Sequence, residues 1–312
     1  MPKGLLGIES LTREEIQAIL DRARDFQPRG EASFRKFDLL RGRMVVNLFF
    51  EASTRTRTSF EIAAKRLGAD LVSITAQASS VSKGESLVDT LNTLAAMRPN
   101  AIIMRHSASG APHFLQRYME TPIINAGDGT HEHPTQALLD ARTMLDRGVK
   151  LEGLRAAIIG DIAHSRVARS NVYLLSKFGA TVVLCGPASL LPRELAQIAS
   201  GVELTTNMNQ AIRDSDVIMM LRVQLERQHE AAFPANEYFQ FYGLRPEHLA
   251  LAKPDAIVMH PGPINRGREI SSEVADSQRS AILNQVENGI AVRMAVLERV
   301  MTEGTADAGA AH

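Results

Sequence analysis

The sequence predicts an α/β protein of two domains, each a mostly parallel sheet flanked by helices. Short apolar runs alternate with amphipathic helical segments along nearly the whole chain, which is typical of this class. The runs are continuously apolar and do not alternate with polar residues, as expected for parallel strands that are buried on both faces. At 312 residues, the chain is also long for a single core.

Eight apolar runs are predicted as strands, four on either side of a central seam. They cover residues 44–50, 70–74, 101–104, 122–125, 156–159, 181–184, 217–221 and 256–259. Helical spacing of apolar residues predicts helices between these strands and one closing helix. Those helices cover residues 58–67, 87–97, 113–119, 135–145, 167–178, 211–214 and 285–300.

The seam between the domains is predicted at the helix 135–145 and the loop "DRGVKLEGL" that follows it. The closing helix could return to either domain. The last residues, 305–312, are small and polar, so this tail is expected to be disordered.

The composition excludes several classes of protein. Lys and Arg total 35 and Asp and Glu total 35, so no overall field attracts nucleic acid or anionic lipid, and recognition of an anion must be local. The single cysteine, Cys185, rules out an intrachain disulfide and suits a reducing cytoplasm. The N-terminus "MPKGLLGIESLTREE" lacks the apolar run of a signal peptide, and no stretch reaches membrane-spanning length. We therefore expect a cytoplasmic protein without a membrane or nucleic-acid partner.

The stretch "LFFEASTRTRTSFE" places hydroxyls and arginines between a predicted strand and a predicted helix. With Ser53 as N-cap, the backbone N–H groups of Thr54, Arg55 and Thr56 would point out of the helix start. Such N–H groups and the positive end of the helix dipole form an anion site, to which the side chains add donors suited to phosphate. The alternative remains open that a T-x-x-E capping box beginning at Thr58 starts the helix one turn later and leaves the arginines solvated.

Further polar residues follow the third and fourth predicted strands. Arg105 closes the third strand, where it could join the anion site or be a surface arginine in a loop. His133 and Gln136, in "NAGDGTHEHPTQALLD", lie beside the next helix start and could hydrogen-bond a carbonyl oxygen that gains negative charge. The pair His131-x-His133 resembles the paired histidines of amidohydrolases, but those occur in an eight-fold barrel that this sequence does not predict. No metal is therefore expected.

Three other loops carry weaker signals. "TAQASSVSKGESL" is either a plain exposed loop or a mobile lid that carries Lys83. Arg166, in "GDIAHSR", and Arg222 and Gln224, in "LRVQLER", are donors suited to carboxylates, although surface salt bridges would also explain the arginines. "MHPGPINRG" fixes a backbone corner through its prolines and glycines, and its carbonyls could face a ligand.

In their order along residues 40–300, these motifs resemble those of the carbamoyltransferase family. "FFEASTRTRTSFE" and "DGTHEHPTQALLD" are specific to the family as a whole. "RVQLER" and "HPGPINRG" point within it to the members that use aspartate, since the relatives that use ornithine carry a Ser-Met-Gly loop and a cysteine in the His-Pro turn. The resemblance implies an enzyme that transfers the carbamoyl group of carbamoyl phosphate to L-aspartate in pyrimidine biosynthesis, without a cofactor.

The resemblance also implies which residues bind each substrate. A domain of residues 1–134 plus 288–304 would bind carbamoyl phosphate, a domain of residues 135–287 would bind aspartate, and the active site would lie in the cleft between them. The residues implied for carbamoyl phosphate are Ser53, Thr54, Arg55, Thr56, Ser79, Lys83, Arg105, His133, Gln136, Pro261, Gly262 and Pro263. Those implied for aspartate are Lys83, Arg166, Arg222 and Gln224. The catalytic residues would be Arg55, Thr56, Lys83, Arg105, His133 and Gln136.

A homotrimer with shared sites is a further implication of the resemblance. Family members bring the residues that match Ser79 and Lys83 to the site from a neighbouring subunit. Ser79, Ser80 or Ser82 could each supply the hydroxyl, and the spacing from Lys83 favours Ser79. Regulatory or dihydroorotase chains could join the trimer. The turn has Gly262 where some relatives carry leucine.

Other classes of protein fit the sequence less well. A metal-dependent hydrolase built on His131 and His133 is one alternative. A non-catalytic phosphate-binding protein is another, but it explains poorly why donors for phosphate, carbonyl and carboxylate all occur. A nucleic-acid binder fits worst, since the basic residues are balanced by acidic ones.

Overall fold

The computed structural model describes residues 4–28, 30, 33–75, 86–222 and 235–306. The chain folds as two compact units: unit 1 comprises Met1–Leu138 and Asn288–His312, and unit 2 comprises Leu139–Glu287. The domain boundary predicted from the sequence, between residues 134 and 135, lies four residues before the boundary between these two units. Ser79, Lys83, Gln224 and the end of the tail lie outside the described residues.

Unit 1 is built on a four-stranded sheet in which all neighbouring strands are parallel. The strands are β1 (Met44–Phe49), β2 (Asp70–Thr75), β3 (Ala101–His106) and β4 (Ile123–Asp128), in the spatial order β2-β1-β3-β4. The helices of this part of the chain are α1 (Arg13–Phe26), α2 (Thr54–Arg66), α3 (Leu87–Ala96), α4 (Ala111–Gln116) and α5 (Pro134–Asp146). Strands β3 and β4 are buried almost throughout, which explains why their sequences lack polar alternation.

The strand order of unit 1 reverses between β1 and β3. The chain leaves β1 to form β2 on one side of it, and then crosses back to form β3 on the other side. Ligands of open α/β sheets bind at such a switch point, beyond the carboxyl ends of the strands. The register pairs Phe49 with Arg105, and the N–H of Phe50 donates to the carbonyl of Arg105 at 2.9 Å. Arg105 therefore lies at this switch point, beside the chain that leads into α2.

Unit 2 contains a five-stranded sheet, also parallel, in the spatial order β7-β6-β5-β8-β9. The strands are β5 (Arg155–Ile159), β6 (Thr181–Cys185), β7 (Val202–Thr205), β8 (Val217–Met220) and β9 (Ile257–Met259). The helices are α6 (Arg166–Ser176), α7 (Met208–Ile212), α8 (Ala235–Tyr242), α9 (Pro246–Leu249) and α10 (Ser272–Ala275). The strand order reverses between β5 and β8, which is the switch point of this sheet.

The ends of β5 and β8 approach each other closely at Gly160. This glycine has a φ of 147°, and a Cβ at its position would lie 2.7 Å from the Cβ of Leu221 and 2.8 Å from its carbonyl oxygen. The N–H of Leu221 donates to the carbonyl of Ile159 at 2.8 Å. Only glycine fits both this conformation and this space. As a result, the loops that lead to Arg166 and Arg222 start at adjacent points.

The C-terminal helix α11 (Ile282–Ala306) is tied to α1 by two ion pairs. Arg22 donates to the carboxylate of Glu298 at 2.6 and 2.7 Å, and Arg299 donates to Glu15 at 2.6 Å. These contacts, all within unit 1, hold the C-terminal half of α11 against α1. Within the described residues, no helix has the length and apolar character needed to cross a membrane.

Several local features of the fold differ from the sequence-based predictions, and the helices α8, α9 and α10 of unit 2 were not predicted. The prediction of four strands in the second domain is wrong, because the described part contains a fifth, β7; this strand is only partly buried, with Glu203 exposed, so no apolar run marks it. Helix α1 was not predicted, although Thr12 and Glu15 form a capping box. Helix α2 begins at Thr54 and not at residue 58, which rules out the alternative of a later capping box.

Candidate active site

The start of α2 has the geometry of an anion site. Ser53 is the N-cap residue, in an extended conformation, and its side chain makes no capping hydrogen bond. Arg57 donates the first intrahelical hydrogen bond, to the carbonyl of Ser53 at 3.1 Å, so the three preceding N–H groups point out of the helix start. The first turn reads Thr-Arg-Thr-Arg and carries no carboxylate. The positive end of the helix dipole is therefore presented without a competing acidic group from this turn.

The side chains of this first turn differ in burial. Thr54 and Arg55 are exposed, whereas Thr56 is buried. Arg57 forms an ion pair with Glu61 at 3.7 Å, one turn further along the helix. Arg57 thus pairs along the helix, whereas Arg55 belongs to the first turn, whose N–H groups point out of the helix start, and this position suits it to meet an anion there.

Arg105, at the end of β3, is held by two contacts. It is only 8% exposed. Its Nη2 donates to Glu51 at 2.5 Å, and its Nη1 donates to the carbonyl of Ala126 at 3.2 Å. These contacts fix the guanidinium between the end of β1 and β4, so it is not a solvated surface arginine. Glu51 was not predicted as a site residue; the signal that could have indicated it is a carboxylate two residues before a hydroxyl-rich motif.

The loop between β4 and α5 is organised around the buried carboxylate of Asp128. Its Oδ1 accepts from Asn125 Nδ2 at 2.8 Å and from the N–H of Glu132 at 3.1 Å. Its Oδ2 accepts from the N–H of Gly110 at 2.6 Å and lies 3.0 Å from His131 Nδ1. Burial opposes ionisation, but these hydrogen bonds hold the pKa of Asp128 below its usual value. The hydrogen bond between His131 and Asp128 raises the pKa of His131 above its usual value.

His133 and Gln136 lie at the start of α5. They are 4% and 8% exposed. The carbonyl of His133 accepts from the N–H of Gln136 at 2.9 Å, so His133 directly precedes the helix, and Pro134 occupies its first position, where a missing N–H is tolerated. His131 and His133 do not belong to one group of possible metal ligands. Within the described residues, His131 groups with Asp128 and His113, and His133 is not part of this group.

In unit 2, the two arginines suited to carboxylates follow β5 and β8. Arg166 is the first residue of α6 and is 6% exposed. The N-cap Ser165 accepts from the N–H of Ala168 at 3.1 Å and fixes the start of this helix. Arg222 is half-buried and lies two residues beyond the end of β8. The switch point of this sheet, where a ligand would bind, therefore has Arg166 on the side of β5 and Arg222 on the side of β8.

The turn formed by Pro261, Gly262 and Pro263 is fixed by a buried histidine. The N–H of Gly262 donates to His260 Nδ1 at 2.8 Å. Because Nδ1 accepts, the neutral ring carries its proton on Nε2, which lies 3.2 Å from the buried Glu269 carboxylate. Gly262 has a φ of 69°, in the region that favours glycine. His260 and Glu269 were not predicted as site residues, because their contact is created only by the fold.

Two parallel-sheet units with anion donors at their switch points define a two-domain α/β protein, and family models identify its class. The model for the carbamoyl-P binding domain of aspartate/ornithine carbamoyltransferase matches residues 3–146. The model for the Asp/Orn binding domain of the same family matches residues 152–300. The chain belongs to the aspartate/ornithine carbamoyltransferase family.

Individual relatives are similar over nearly the full length. The chain is 80% identical over 301 residues to the aspartate carbamoyltransferase catalytic subunit of Solibacter usitatus, covering 96% of this chain and 100% of the relative. It is 56% identical to the aspartate carbamoyltransferase catalytic subunit of Syntrophotalea carbinolica, covering 95% and 94% of the two chains. Among solved structures, aspartate transcarbamoylase from Trypanosoma cruzi in complex with N-(phosphonacetyl)-L-aspartic acid superposes with a TM-score of 0.87 at 34% identity, covering 96% and 95% of the chains.

Proposed function

We propose that this chain transfers the carbamoyl group of carbamoyl phosphate to the amine of L-aspartate, giving N-carbamoyl-L-aspartate and phosphate. The reaction belongs to the biosynthesis of pyrimidines, leading to UMP. The names of the relatives support this donor and acceptor, as does the T. cruzi complex, whose ligand joins a phosphonate to an aspartate. The observation that carries the proposal is the pairing of a helix N-terminus with a buried, fixed arginine at one switch point.

The start of α2 binds the phosphate group of the donor. The N–H groups of Thr54, Arg55 and Thr56 and the hydroxyl of Ser53 donate to its oxygens, and the guanidinium of Arg55 neutralises its charge. Each hydrogen bond to a charged group contributes roughly 1.5–3 kcal/mol, so several together offset the loss of hydration. Lys83 and Ser79 of a neighbouring copy complete this half of the site.

Arg105, Thr56 and His133 act on the carbamoyl oxygen. The amine of aspartate attacks the carbonyl carbon, and the electron pair of the C=O bond moves to the oxygen, where these donors stabilise it. The pair then returns, the C–O bond to phosphate breaks, and phosphate leaves with the bonding electrons and takes the amine proton. The rate gain comes from positioning two substrates and from neutralising charge.

The carbamoyl amide needs acceptors and an orienting surface. The side-chain oxygen of Gln136 and the carbonyl of Pro261 accept from the carbamoyl NH₂ group. Gly262 and Pro263 hold the Pro261 carbonyl in place, because the turn is fixed through the hydrogen bond of Gly262 to the buried His260.

Unit 2 supplies the groups that bind the acceptor. Aspartate carries two carboxylates, and Arg166, Arg222 and Gln224 offer donors for them, together with Lys83. Ornithine carries a side-chain ammonium, which guanidinium groups repel. The burial of Arg166 strengthens this selection, because solvent screens a buried charge less. These charges support aspartate as the acceptor.

The active assembly is a homotrimer in the cytoplasm, in which each site draws residues from two chains. Membership of the carbamoyltransferase family supports this arrangement. Regulatory or dihydroorotase chains are candidates for a larger assembly around the trimer.

Steady-state measurement of carbamoyl aspartate formation tests the proposal in the wild type and in two arginine variants. We expect the wild type to use aspartate and not ornithine, and Arg105→Ala to lose about 10²–10³ in kcat because one oxyanion donor is removed. Arg117→Ala removes an exposed arginine at the end of α4 and should keep wild-type activity. A folded wild type that forms no product would contradict the reaction, and an Arg105→Ala variant with full activity would contradict the site.

A further inference from the structure

A second cluster of reactive side chains lies outside the residues proposed to bind substrate. Among the described residues, His113, Asp128 and His131 each offer a ligand atom within 4.8 Å of the other two. They come from three parts of unit 1: α4, the end of β4, and the loop before α5. The rings of His113 and His131 lie edge to face, with their centroids 5.2 Å apart.

We propose that this cluster binds a divalent transition-metal ion of the zinc class, with His113, Asp128 and His131 as ligands and water as the fourth. The ion takes the place of the proton between His131 Nδ1 and Asp128 Oδ2, which lie 3.0 Å apart, and that proton is released to solvent. Ligand atoms around a tetrahedral Zn²⁺ are about 3.4 Å apart. Small rotations of the two half-buried histidine rings therefore complete the site. Imidazole nitrogen is a preferred ligand of Zn²⁺, Co²⁺ and Ni²⁺.

An independent observation points to a missing ligand at His113. Its Nδ1 is buried and has no hydrogen-bond partner within the described residues. Buried polar atoms are rarely left without a partner, and such an exception needs an explanation. A cation ligated by this nitrogen would supply one.

The charges around the cluster favour a cation. The carboxylates of Asp128 and Glu9 interact electrostatically with both histidines, and that of Glu132 interacts with His131. Arg117 is the opposing basic group, acting on His113. The local balance is therefore negative, although the whole chain is neutral.

Unit 2 contains a histidine–aspartate pair that serves as a matched control. His164 Nδ1 lies 2.8 Å from the buried Asp161 carboxylate, much as His131 lies against Asp128. Within the described residues, this pair does not belong to any group of three possible ligands. If any His–Asp pair were enough to bind a metal, the pair of His164 with Asp161 would bind it as well as the cluster of His113, Asp128 and His131.

Titration of the full chain with Zn²⁺ by calorimetry, and with Co²⁺ by visible absorption, tests the proposal. Three variants are compared with the wild type. His113→Phe keeps a ring of similar size, His131→Asn keeps a donor for Asp128, and His164→Asn changes the control pair. We expect one ion per wild-type chain, the same affinity in His164→Asn, and an affinity at least about tenfold weaker in each of the other two.

Thermal unfolding gives a second measurement that does not depend on activity. Zn²⁺ should raise the midpoint of the wild type and of His164→Asn, because the ion ties α4 to the β4–α5 loop. It should not raise the midpoint of His113→Phe or His131→Asn. Absence of metal binding by the wild type, or equal binding by wild type, His113→Phe and His131→Asn, would overturn the proposal.

Discussion

Glu51 forms an ion pair with Arg105 at the switch point of unit 1. The ion pair between them is largely shielded, with side-chain exposures of 10% for Arg105 and 23% for Glu51. An arginine held in this way needs little reorganisation when charge develops on a substrate oxygen, which is the condition for effective electrostatic stabilisation. We therefore infer that Glu51 acts on the reaction only through the position of Arg105.

Replacement of Glu51 by glutamine tests this role. Glu51→Gln keeps the size of the side chain but removes the charge, so Arg105 loses a charge-assisted hydrogen bond of roughly 1.5–3 kcal/mol. We expect kcat to fall about tenfold, less than in Arg105→Ala. The control is Glu203→Gln. Glu203 lies on the edge strand β7 and forms an ion pair with Arg155 of β5, so the loss of this pair should leave kcat unchanged. If Glu51→Gln matched the wild type in steady-state kinetics, the positioning role would be rejected.

His248 gives the fold a predictable dependence on pH. Its Nδ1 accepts from the N–H of Arg245 at 3.1 Å, next to the start of α9. Burial, followed by the charge of Arg245, lowers the pKa of His248 below its usual value of 6.5. The unfolded chain therefore binds this proton more tightly than the folded one. The stability that His248 contributes is present above the unfolded pKa and is lost as the pH falls through the folded pKa.

Thermal midpoints of the wild type and His248→Asn, measured from about pH 8 to about pH 5, test this dependence. The asparagine oxygen can accept from the same N–H group but does not titrate. We expect the midpoint of the wild type to fall further over this range than that of the variant. Parallel curves for the two proteins would show that His248 does not have the lowered pKa.

Among the elements of the fold, α2 combines two roles that are normally separate. The hydroxyl oxygen of an N-cap serine usually accepts a hydrogen bond from a backbone N–H of the first turn, yet Ser53 makes no such hydrogen bond. Thr12 is the ordinary case, since its side chain accepts from the N–H of Glu15 at 3.1 Å. The hydroxyl of Ser53 is thus suited to a ligand, whereas that of Thr12 stabilises a helix.

Alanine substitution at these two N-caps should separate binding from stability. Ser53→Ala should raise the KM for carbamoyl phosphate and leave the thermal midpoint nearly unchanged. Thr12→Ala should lose about 1 kcal/mol of stability, as is typical for a lost cap, and keep its KM. A reversed pattern, with Ser53→Ala destabilised and normal in KM, would mean that Ser53 is only a helix cap.

The strands were predictable because most of them are buried on both faces. Continuous apolar sequence marks such strands, and β5 and β6 follow their predicted ranges closely. The edge strand β7 has no such signal because only part of it is buried. Strand β4 continues to Asp128, beyond the predicted end at residue 125, because Gly127 and Asp128 suggest a turn and the side-chain network that holds them in the sheet is not visible in the sequence.

The candidate site was predictable for residues that follow strands and less so for residues that hold them. Arg105, Arg166 and Arg222 lie at strand ends, where the fold class alone predicts a ligand. Glu51 depends on a pairing between β1 and β3, which the sequence does not reveal. The same holds for the contact of His113 with His131, which joins residues of different elements.

On the scale of the whole molecule, each unit contributes one switch point and one kind of donor set. The donor set of unit 1 suits a phosphate and a carbonyl, and that of unit 2 suits carboxylates. Under the proposed function, a chain without net charge would thus recognise its two anionic substrates through local donor sets.

Mixing two inactive variants tests whether sites are shared between chains. We expect Lys83→Ala and Arg55→Ala to disable different parts of the proposed phosphate site. In a mixed trimer, an intact Arg55 from one chain meets an intact Lys83 from its neighbour, so part of the wild-type activity should return. Absence of rescue, with mixed trimers demonstrated by mass spectrometry, would contradict the shared site.

The most direct test is a crystal structure of this chain with N-(phosphonacetyl)-L-aspartic acid. The phosphonate should lie against the N–H groups of Thr54, Arg55 and Thr56, within reach of Arg105, and the carboxylates should meet Arg166 and Arg222. A phosphonate bound away from the start of α2 would contradict the proposed recognition of carbamoyl phosphate.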